Sequence, residues 1–199
     1  MVRHEIAQAG YVESLTFALL SAQNNYVRMR QEVNLNECVR LSNPKTQEFE
    51  IVRTSLLPGL LMCLKENSAL NVPQKLFEVS DTVVKCSETD TGAKNIRKVA
   101  AMVIDTSSNF EVIHGLLDLI MTKVGADFAK RDYVLAEDST DPRFFGTRGF
   151  SVSLNGKKIG CIGVIHPEIL HNFELKYPVS ALEIDFDALF DHLKQSNSD

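Results

Sequence analysis

The pair of side chains in this sequence that most readily suggests chemistry is a histidine and a glutamate two positions apart, His166 and Glu168. They follow the apolar run GCIGVI, residues 160–165, and they flank Pro167. Histidine and glutamate are common metal ligands and common partners in acid–base catalysis. Three interpretations are open at this point: a metal site, an acid–base pair, or a turn that joins two elements.

The proline between the two side chains favours the turn. Proline fixes φ at about −65° and is preferred at the first position of a helix, where its missing N–H has no cost. His166 is then the cap, and Glu168 lies in the first turn, where its carboxylate meets the positive end of the helix dipole. The sequence therefore predicts a structural strand-to-helix turn at His166, Pro167 and Glu168. The choice of histidine for the cap is left unexplained.

Motifs for other kinds of chemistry are missing from the sequence. It contains no HExxH, no GxSxG and neither of the glycine-rich phosphate-binding patterns. The four cysteines are far apart and form no CxxC pair, so we expect reduced thiols rather than a zinc site. We predict no catalytic, cofactor-binding or metal-binding residue in this chain. Arg53 and Arg148 are the two arginines for which anion binding stays open, beside ion pairing or an interface contact.

Composition and charge are those of a globular protein in a reducing compartment. With 44% hydrophobic and 24% charged residues, the 199-residue chain is long enough to bury a core. The formal net charge of −5 gives no general attraction for nucleic acid. No apolar run reaches the roughly 18 residues that span a bilayer. We expect one cytoplasmic domain over residues 1–194 and a disordered tail over 195–199, the whole being a fragment of a longer chain.

The elements that must position these residues can be inferred from periodicity and turn signals. Residues 12–19 alternate, with Leu15, Phe17 and Leu19 on one apolar face, which predicts a strand. Helices are predicted near Leu57–Ser68 and over the amphipathic run that starts at Phe110. Asn155-Gly156 between two apolar runs is a strong hairpin signal. Hairpins mixed with a few helices indicate an α+β fold built on a mainly antiparallel sheet flanked by helices.

Six stretches of the sequence occur in an order that resembles one known family, the phenylalanyl-tRNA synthetase β subunit in its archaeal and eukaryotic cytosolic form. The resemblance runs from about residue 2 to 190 and lies in the C-terminal, catalytic-like half of that subunit. The stretches are GYVESLTFALLS, LSNPKTQEFEIVRTSLLPGLL, KLFEVSDTVV, GAKNIRKVA, FEVIHGLLDLIM, and GVIHPEIL with YPVSALEID.

The resemblance implies a fold of the class II aminoacyl-tRNA synthetase type and a role without catalysis. In the family, the α subunit holds the active site that joins phenylalanine to tRNA with ATP and Mg²⁺. The β module is a scaffold in an (αβ)₂ assembly and binds no cofactor itself. We therefore expect the partners to be the catalytic α subunit and, through the complete enzyme, tRNA.

The positions of the arginines agree with a module that has lost catalysis. A class II site needs arginines on a strand hairpin and near its last strand, because the guanidinium fork binds phosphate oxygens in pairs. In KLFEVSDTV the residue before Leu76 is Lys75, and no arginine follows Arg148 in the chain. Two alternatives stay open: residual activation of ATP and amino acid by Lys75, Lys157 and Lys158, or a tRNA-binding module.

The stretch TSLLPGLL resembles the region that helps to form the subunit interface in class II enzymes. Its leucine-rich helix offers more apolar surface than one sheet face requires, which suggests burial against a partner. We predict that the contact with the catalytic subunit lies at or near Arg53, Pro58, Gly59, Leu60 and Leu64.

Overall fold

The chain folds around one seven-stranded sheet with the strand order β1-β4-β5-β9-β8-β7-β6. A computed structural model describes residues 2–196, and the side chains of the last two of these are not described. Every strand pair in the sheet is antiparallel except β1–β4. Two short strands, β2 and β3, form a separate antiparallel pair. The predicted α+β class with a mainly antiparallel sheet is confirmed.

The elements follow one another along the chain, and the longest connection, residues 26–50, lies between α2 and β3. The helices are α1 (Val2–Gln8), α2 (Ala22–Asn25), α3 (Leu57–Glu66), α4 (Phe110–Lys123), α5 (Pro167–Asn172) and α6 (Phe186–Ser196). The strands are β1 (Val12–Glu13), β2 (Leu19–Leu20), β3 (Ile51–Val52), β4 (Gln74–Lys85), β5 (Ala93–Ile104), β6 (Tyr133–Glu137), β7 (Phe144–Leu154), β8 (Lys157–Ile165) and β9 (Val179–Asp185).

Alternation along the strands gives the sheet two buried faces with a separate apolar core on each. Phe77 on β4 and Leu182 on β9 belong to the core that α1, α4 and α6 cover. Met102 on β5 and Ala181 on β9 belong to the core that α3 and α5 cover. We call the second side the α3 face, and the features that bear on function lie on it or beside it.

Local sequence signals account for the central hairpin and the longest helix. Asn155 and Gly156 both have positive φ, 49° and 77°, which is the backbone of a type I′ turn. Apolar side chains recur at three- and four-residue spacing along α4, and Gly125 with φ 80° follows its end. Strand β8 lies between β7 and β9, which agrees with the apolar residues on both of its faces.

The predicted strand over residues 12–19 is wrong in extent and in the face that it buries. Only Val12–Glu13 pairs with β4, and Leu19–Leu20 pairs with β3. Between these short strands the side chains of Leu15 and Phe17 are exposed, whereas Thr16 faces inward. The alternation was read correctly as extended backbone, but the polar rather than the apolar side points into the protein.

The termini of the predicted elements also differ in detail. Helix α3 ends at Glu66 rather than near Ser68, so Leu70 lies beyond the helix and is exposed. Helix α6 reaches Ser196 and so includes the first two residues of the predicted tail. The remainder of that tail, residues 197–199, lies outside the described residues.

Helix α3 is held by its leucines, and this gives a test of the α3 face. Leu60 is fully buried, whereas Leu70 is 61% exposed. We expect Leu60→Ala to lower the free energy of unfolding by about 2–5 kcal/mol, because it removes transfer energy and leaves a cavity. Leu70→Ala should change it by less than about 0.5 kcal/mol. Urea unfolding of both variants measures this, and equal effects would contradict the assignment of Leu60 to the core.

Candidate functional site

A pocket of about 320 Å³ opens on the α3 face of the sheet. Strands β5, β8 and β9 form its floor, and the chain before α3 forms one wall. The side chains that line it include cations and carboxylates in close proximity. The charged lining residues are Lys98, Arg143, Lys158, Glu37, Glu183 and Asp185.

Glu183, on the central strand β9, is the buried group around which the pocket is built. Its Oε1 accepts hydrogen bonds from Ser55 Oγ at 2.9 Å and from Leu56 N at 2.7 Å. Its Oε2 accepts from Lys98 Nζ at 3.3 Å. The carboxylate therefore supplies the cap for the first turn of α3 from a distant strand. Ser55 contributes through its hydroxyl, which accepts from Leu57 N at 3.2 Å.

Glu183 and Lys98 each stabilise the charged form of the other. Burial alone raises the pKa of Glu183, but Lys98, Arg143 and the hydrogen bonds from the start of α3 together hold the pKa below its ordinary value. Burial likewise lowers the pKa of Lys98, and the carboxylates of Glu183 and Asp185 bring it above its ordinary value. Both side chains are therefore charged at neutral pH and form an internal ion pair.

The other two cations of the pocket are also paired with carboxylates of this chain. Arg143 binds Asp141 with both arms of its guanidinium, at 2.9 and 2.6 Å. Lys158 Nζ lies 3.0 Å from Asp138 Oδ2. Hydrogen bonds from Thr140 and Lys158 lower the pKa of Asp138 to about 2. Each cation that lines the pocket is therefore neutralised internally.

The remaining reactive groups give the pocket no further chemistry. Burial raises the pKa of the Cys161 thiol to about 11, so it is protonated at neutral pH and a poor nucleophile. Among residues 2–196 no three histidine, cysteine, aspartate or glutamate side chains are grouped to hold a metal ion. The pocket can accept polar ligands, but a phosphate would compete with the carboxylates that already pair with its cations.

The predicted interface residues are buried inside this chain. Pro58, Gly59, Leu60 and Leu64 all lie on α3 and are covered by the chain itself. The expectation that this helix carries spare apolar surface is therefore wrong. The reason is that the α3 face of the sheet, with α5 beside it, uses the side chains of Leu60 and Leu64 in its core.

Arg53 is buried for a different reason. It is 2% exposed and forms an ion pair with Glu78, which is 1% exposed, over 2.9 Å between Nη1 and Oε1. Arg53 is therefore an internal anchor rather than an anion site. Arg148, the other open candidate, is exposed on β7.

Three strongly exposed apolar side chains lie instead on β1 and on the segment that follows it. Val12, Leu15 and Phe17 are 64%, 83% and 75% exposed. We call these three side chains the N-terminal apolar surface. A groove of about 510 Å³ meets this surface at Val12 and is also lined by Ser14, Cys63 and Leu70, but by neither Leu15 nor Phe17. Isolated exposed apolar side chains are ordinary, whereas a group of them within one short segment is typical of an interaction site.

The predicted turn at His166, Pro167 and Glu168 is confirmed, and its histidine has a structural role. His166 caps α5, and its Nδ1 accepts a hydrogen bond from Glu168 N at 3.1 Å. Its ring packs edge-on against Phe145 of β7, with 5.8 Å between centroids. The carboxylate of Glu168 pairs with Arg30 at 2.7 Å. Imidazole therefore supplies a cap acceptor and an aromatic contact, which serine or aspartate cannot combine.

Sequence reasoning missed Lys98, Arg143, Glu183 and Thr16. Lys98 and Glu183 lie within otherwise apolar strands, RKVAAMVI and SALEID, and a charge in such a strand is the signal of a buried pair. Lys98 and Glu183 pair with each other although they lie more than 80 positions apart in the chain. No local pattern could identify that pairing.

The fold belongs to the class II aminoacyl-tRNA synthetase type. A crystal structure of pyrrolysyl-tRNA synthetase from Desulfitobacterium hafniense superimposes with a TM-score of 0.75 at 14% identity, covering 95% of this chain and 65% of that one. The family model described as "Phenylalanyl tRNA synthetase beta chain CLM domain" matches residues 1–186. The chain belongs to this family.

The curated relatives of the chain are named as beta subunits of phenylalanine–tRNA ligase. The human phenylalanine–tRNA ligase beta subunit is 43% identical over 189 residues, covering 93% of this chain and 32% of the human protein. The Arabidopsis thaliana protein, named a cytoplasmic beta subunit, is 36% identical over 199 residues, covering 95% of this chain and 33% of that protein. The chain thus spans about a third of the length of these relatives. Within residues 2–196, no helix has the length and apolar character that crossing a membrane requires.

The histidine cap makes the stability of the turn depend on pH. Burial and the nearby Arg30 guanidinium lower the pKa of His166 below its ordinary value of 6.5. The folded pKa is depressed, so the contribution is complete above about pH 6.5 and is lost as the pH falls through the folded pKa. His166→Asn keeps a cap acceptor that does not titrate.

We therefore expect the stability of the wild type to fall relative to His166→Asn as the pH falls below about 6.5. Urea unfolding at a series of pH values measures the difference. Parallel stability profiles for the two proteins would contradict a neutral imidazole as the cap.

Proposed function

We propose that this chain is a non-catalytic assembly module of phenylalanine–tRNA ligase, which packs against the catalytic α subunit that attaches phenylalanine to its tRNA with ATP. The observation that carries the proposal is the internal neutralisation of the pocket on the α3 face. Lys98, Arg143 and Lys158 are bound by Glu183, Asp141 and Asp138. An ATP site needs cations that are free to meet phosphates, and here they are already paired.

The family membership supports the wider setting of this proposal. The chain corresponds to the catalytic-like module in the C-terminal half of a β subunit of the cytosolic type, working in the cytoplasm within an (αβ)₂ heterotetramer. ATP and Mg²⁺ are bound by the α subunits, and tRNA is engaged by the complete enzyme. Binding of tRNA by this module alone is disfavoured by the formal net charge of −5.

The N-terminal apolar surface is the part of the module that fits an assembly role. Leu15 and Phe17 project from a segment whose backbone is fixed at both ends, by Ser14 N to Phe77 O at 2.8 Å and by Arg53 N to Ala18 O at 2.9 Å. The surface is therefore presented in a defined position, which lowers the entropic cost of binding. We assign it to the contact with the α subunit, in place of the buried leucines of α3.

Introducing negative charges on this surface tests the assembly role. We expect Leu15→Asp with Phe17→Asp, placed in a full β subunit, to reduce association with the α subunit by at least about tenfold, because buried apolar anchors carry most of an interface's energy. Val134→Asp is the control, since Val134 is exposed at the opposite edge of the sheet on β6. Co-expression followed by size exclusion and titration of the purified subunits measures association.

Wild-type association of the double variant would contradict the assignment of the surface. A second contradiction would be a double variant whose β subunit is destabilised before the α subunit is added. In that case the surface is covered by the remainder of the β subunit itself.

The pocket gives a separate test of the non-catalytic role. Incubated with ATP, Mg²⁺, phenylalanine and labelled pyrophosphate, this chain alone should catalyse no exchange, because each lining cation is already paired with a carboxylate that competes with the phosphates. The complete enzyme is the positive control. Exchange above background that is lost in Lys98→Met would favour the alternative, a class II-like domain with residual activation of ATP and amino acid.

A further inference from the structure

We infer that Thr16, clamped between buried Arg53 and Glu78, is a positioning residue that holds Leu15 and Phe17 in place for the α subunit. The inference rests on the proposed function and deepens it. In this inference, buried residues beneath the contact surface hold it in position without touching the α subunit themselves. It also gives the buried Arg53 and Gly59 an indirect role at the interface.

The clamp is a chain of three polar groups with a single consistent direction of hydrogen bonding. Arg53 Nη1 donates to Thr16 Oγ1 at 2.8 Å, and that hydroxyl donates to Glu78 Oε2 at 2.7 Å. Arg53 Nη1 also contacts Glu78 Oε1 directly at 2.9 Å, so Thr16 closes a ring with the ion pair. The hydroxyl thus acts as acceptor and as donor at once, and valine in its place would satisfy neither partner.

Backbone contacts tie the same ring to the segment that carries the exposed residues. Arg53 Nη1 reaches Thr16 O at 3.3 Å, and Thr16 N approaches Glu78 Oε1 at 3.4 Å. Arg53 Nε donates in turn to Asp81 O on β4 at 3.1 Å. The backbone of Thr16 is therefore fixed to the sheet through charged groups, which form stronger hydrogen bonds than neutral ones.

Thr16 matters because the middle of this segment, between the backbone hydrogen bonds of Ser14 and Ala18, has no strand ladder. Residues 14–18 lie between β1 and β2 and belong to neither. Of the inward-facing side chains, Ser14 makes a 3.6 Å contact with Cys63 Sγ, which is weaker than the bonds of Thr16. In an extended chain neighbouring side chains point to opposite sides, so fixing Thr16 inward directs Leu15 and Phe17 outward.

Gly59 leaves the space that Thr16 occupies. A Cβ on Gly59 would lie 2.3 Å from Thr16 Oγ1 and 2.9 Å from Thr16 Cβ, closer than real contacts. Gly59 is inside α3, where glycine costs about 1 kcal/mol relative to alanine. The close approach of α3 to Thr16 gives this unfavourable residue a structural reason.

Removal of the Thr16 hydroxyl tests the inference in the full β subunit. We expect Thr16→Val to weaken association with the α subunit by about tenfold, because two hydrogen bonds to charged groups are lost and the segment loosens. Thr16→Ser, which keeps the hydroxyl, should restore association. Thr82→Val is the matched control, since Thr82 is a buried threonine on β4 whose hydroxyl donates to Ile96 O at 3.1 Å.

The readouts separate positioning from general stability. The midpoint of thermal unfolding is measured for each free β subunit beside its association with the α subunit. Support for the inference is a loss of association in Thr16→Val that exceeds the loss in Thr82→Val at comparable stability. Equal association of these two variants would overturn it, even where Leu15→Asp with Phe17→Asp abolishes association and so upholds the proposed function.

A second pair of variants approaches the clamp from the helix. Gly59→Ala should weaken association because the new methyl displaces Thr16, although alanine favours the helix. Gly115→Ala in α4 is the control, because a Cβ there meets nothing within 4 Å. It should raise the unfolding midpoint and leave association unchanged. Wild-type association of Gly59→Ala would overturn the inference that the position of Thr16 governs the interface.

Discussion

The α3 side of the molecule depends on one constraint, the burial of two carboxylates in a single row across the sheet. Glu78 on β4 pairs in register with Ala100 on β5, and Ala100 pairs with Glu183 on β9. The small side chain of Ala100 leaves room above the row for the chain that enters α3. Residues 53–56 cross there and satisfy both carboxylates, Arg53 at Glu78 and Ser55 with Leu56 at Glu183. The position of α3 follows from this double attachment.

The same constraint bears on the non-catalytic role that we propose for the pocket. The fold is shared with enzymes, and cations are present in the pocket, so a shortage of positive charge is not the reason. A buried carboxylate must be paired or it loses several kcal/mol, and Glu183 draws Lys98 into that pairing. The count of arginines in the sequence pointed to the same conclusion, but the internal pairing of the cations is the stronger physical argument.

Features that depend on residues close together in the chain could be predicted from the sequence, and features that depend on distant residues could not. The Asn155-Gly156 hairpin, helix α4 and the turn at His166 depend on neighbouring residues, and all three could be predicted. The burial of α3 and the exposure of Leu15 and Phe17 depend on contacts between residues distant in the chain. Alternation identifies extended backbone, but the face that is buried is decided by what Thr16 meets, which is the ion pair of Arg53 and Glu78. That pair is not visible in any local pattern.

The energetics of buried ion pairs suit a role in positioning better than a role in stability. The cost of removing two charges from water offsets much of their attraction, and apolar side chains of equal volume often give equal or greater stability. Apolar packing, however, tolerates small shifts, whereas a guanidinium and a carboxylate joined through one hydroxyl accept only a narrow range of geometry. On this argument Arg53 and Glu78 contribute direction more than net energy. For the surface that we propose as the contact with the α subunit, that direction matters, since displacement of an apolar anchor by an ångström loses contacts that burial alone cannot restore.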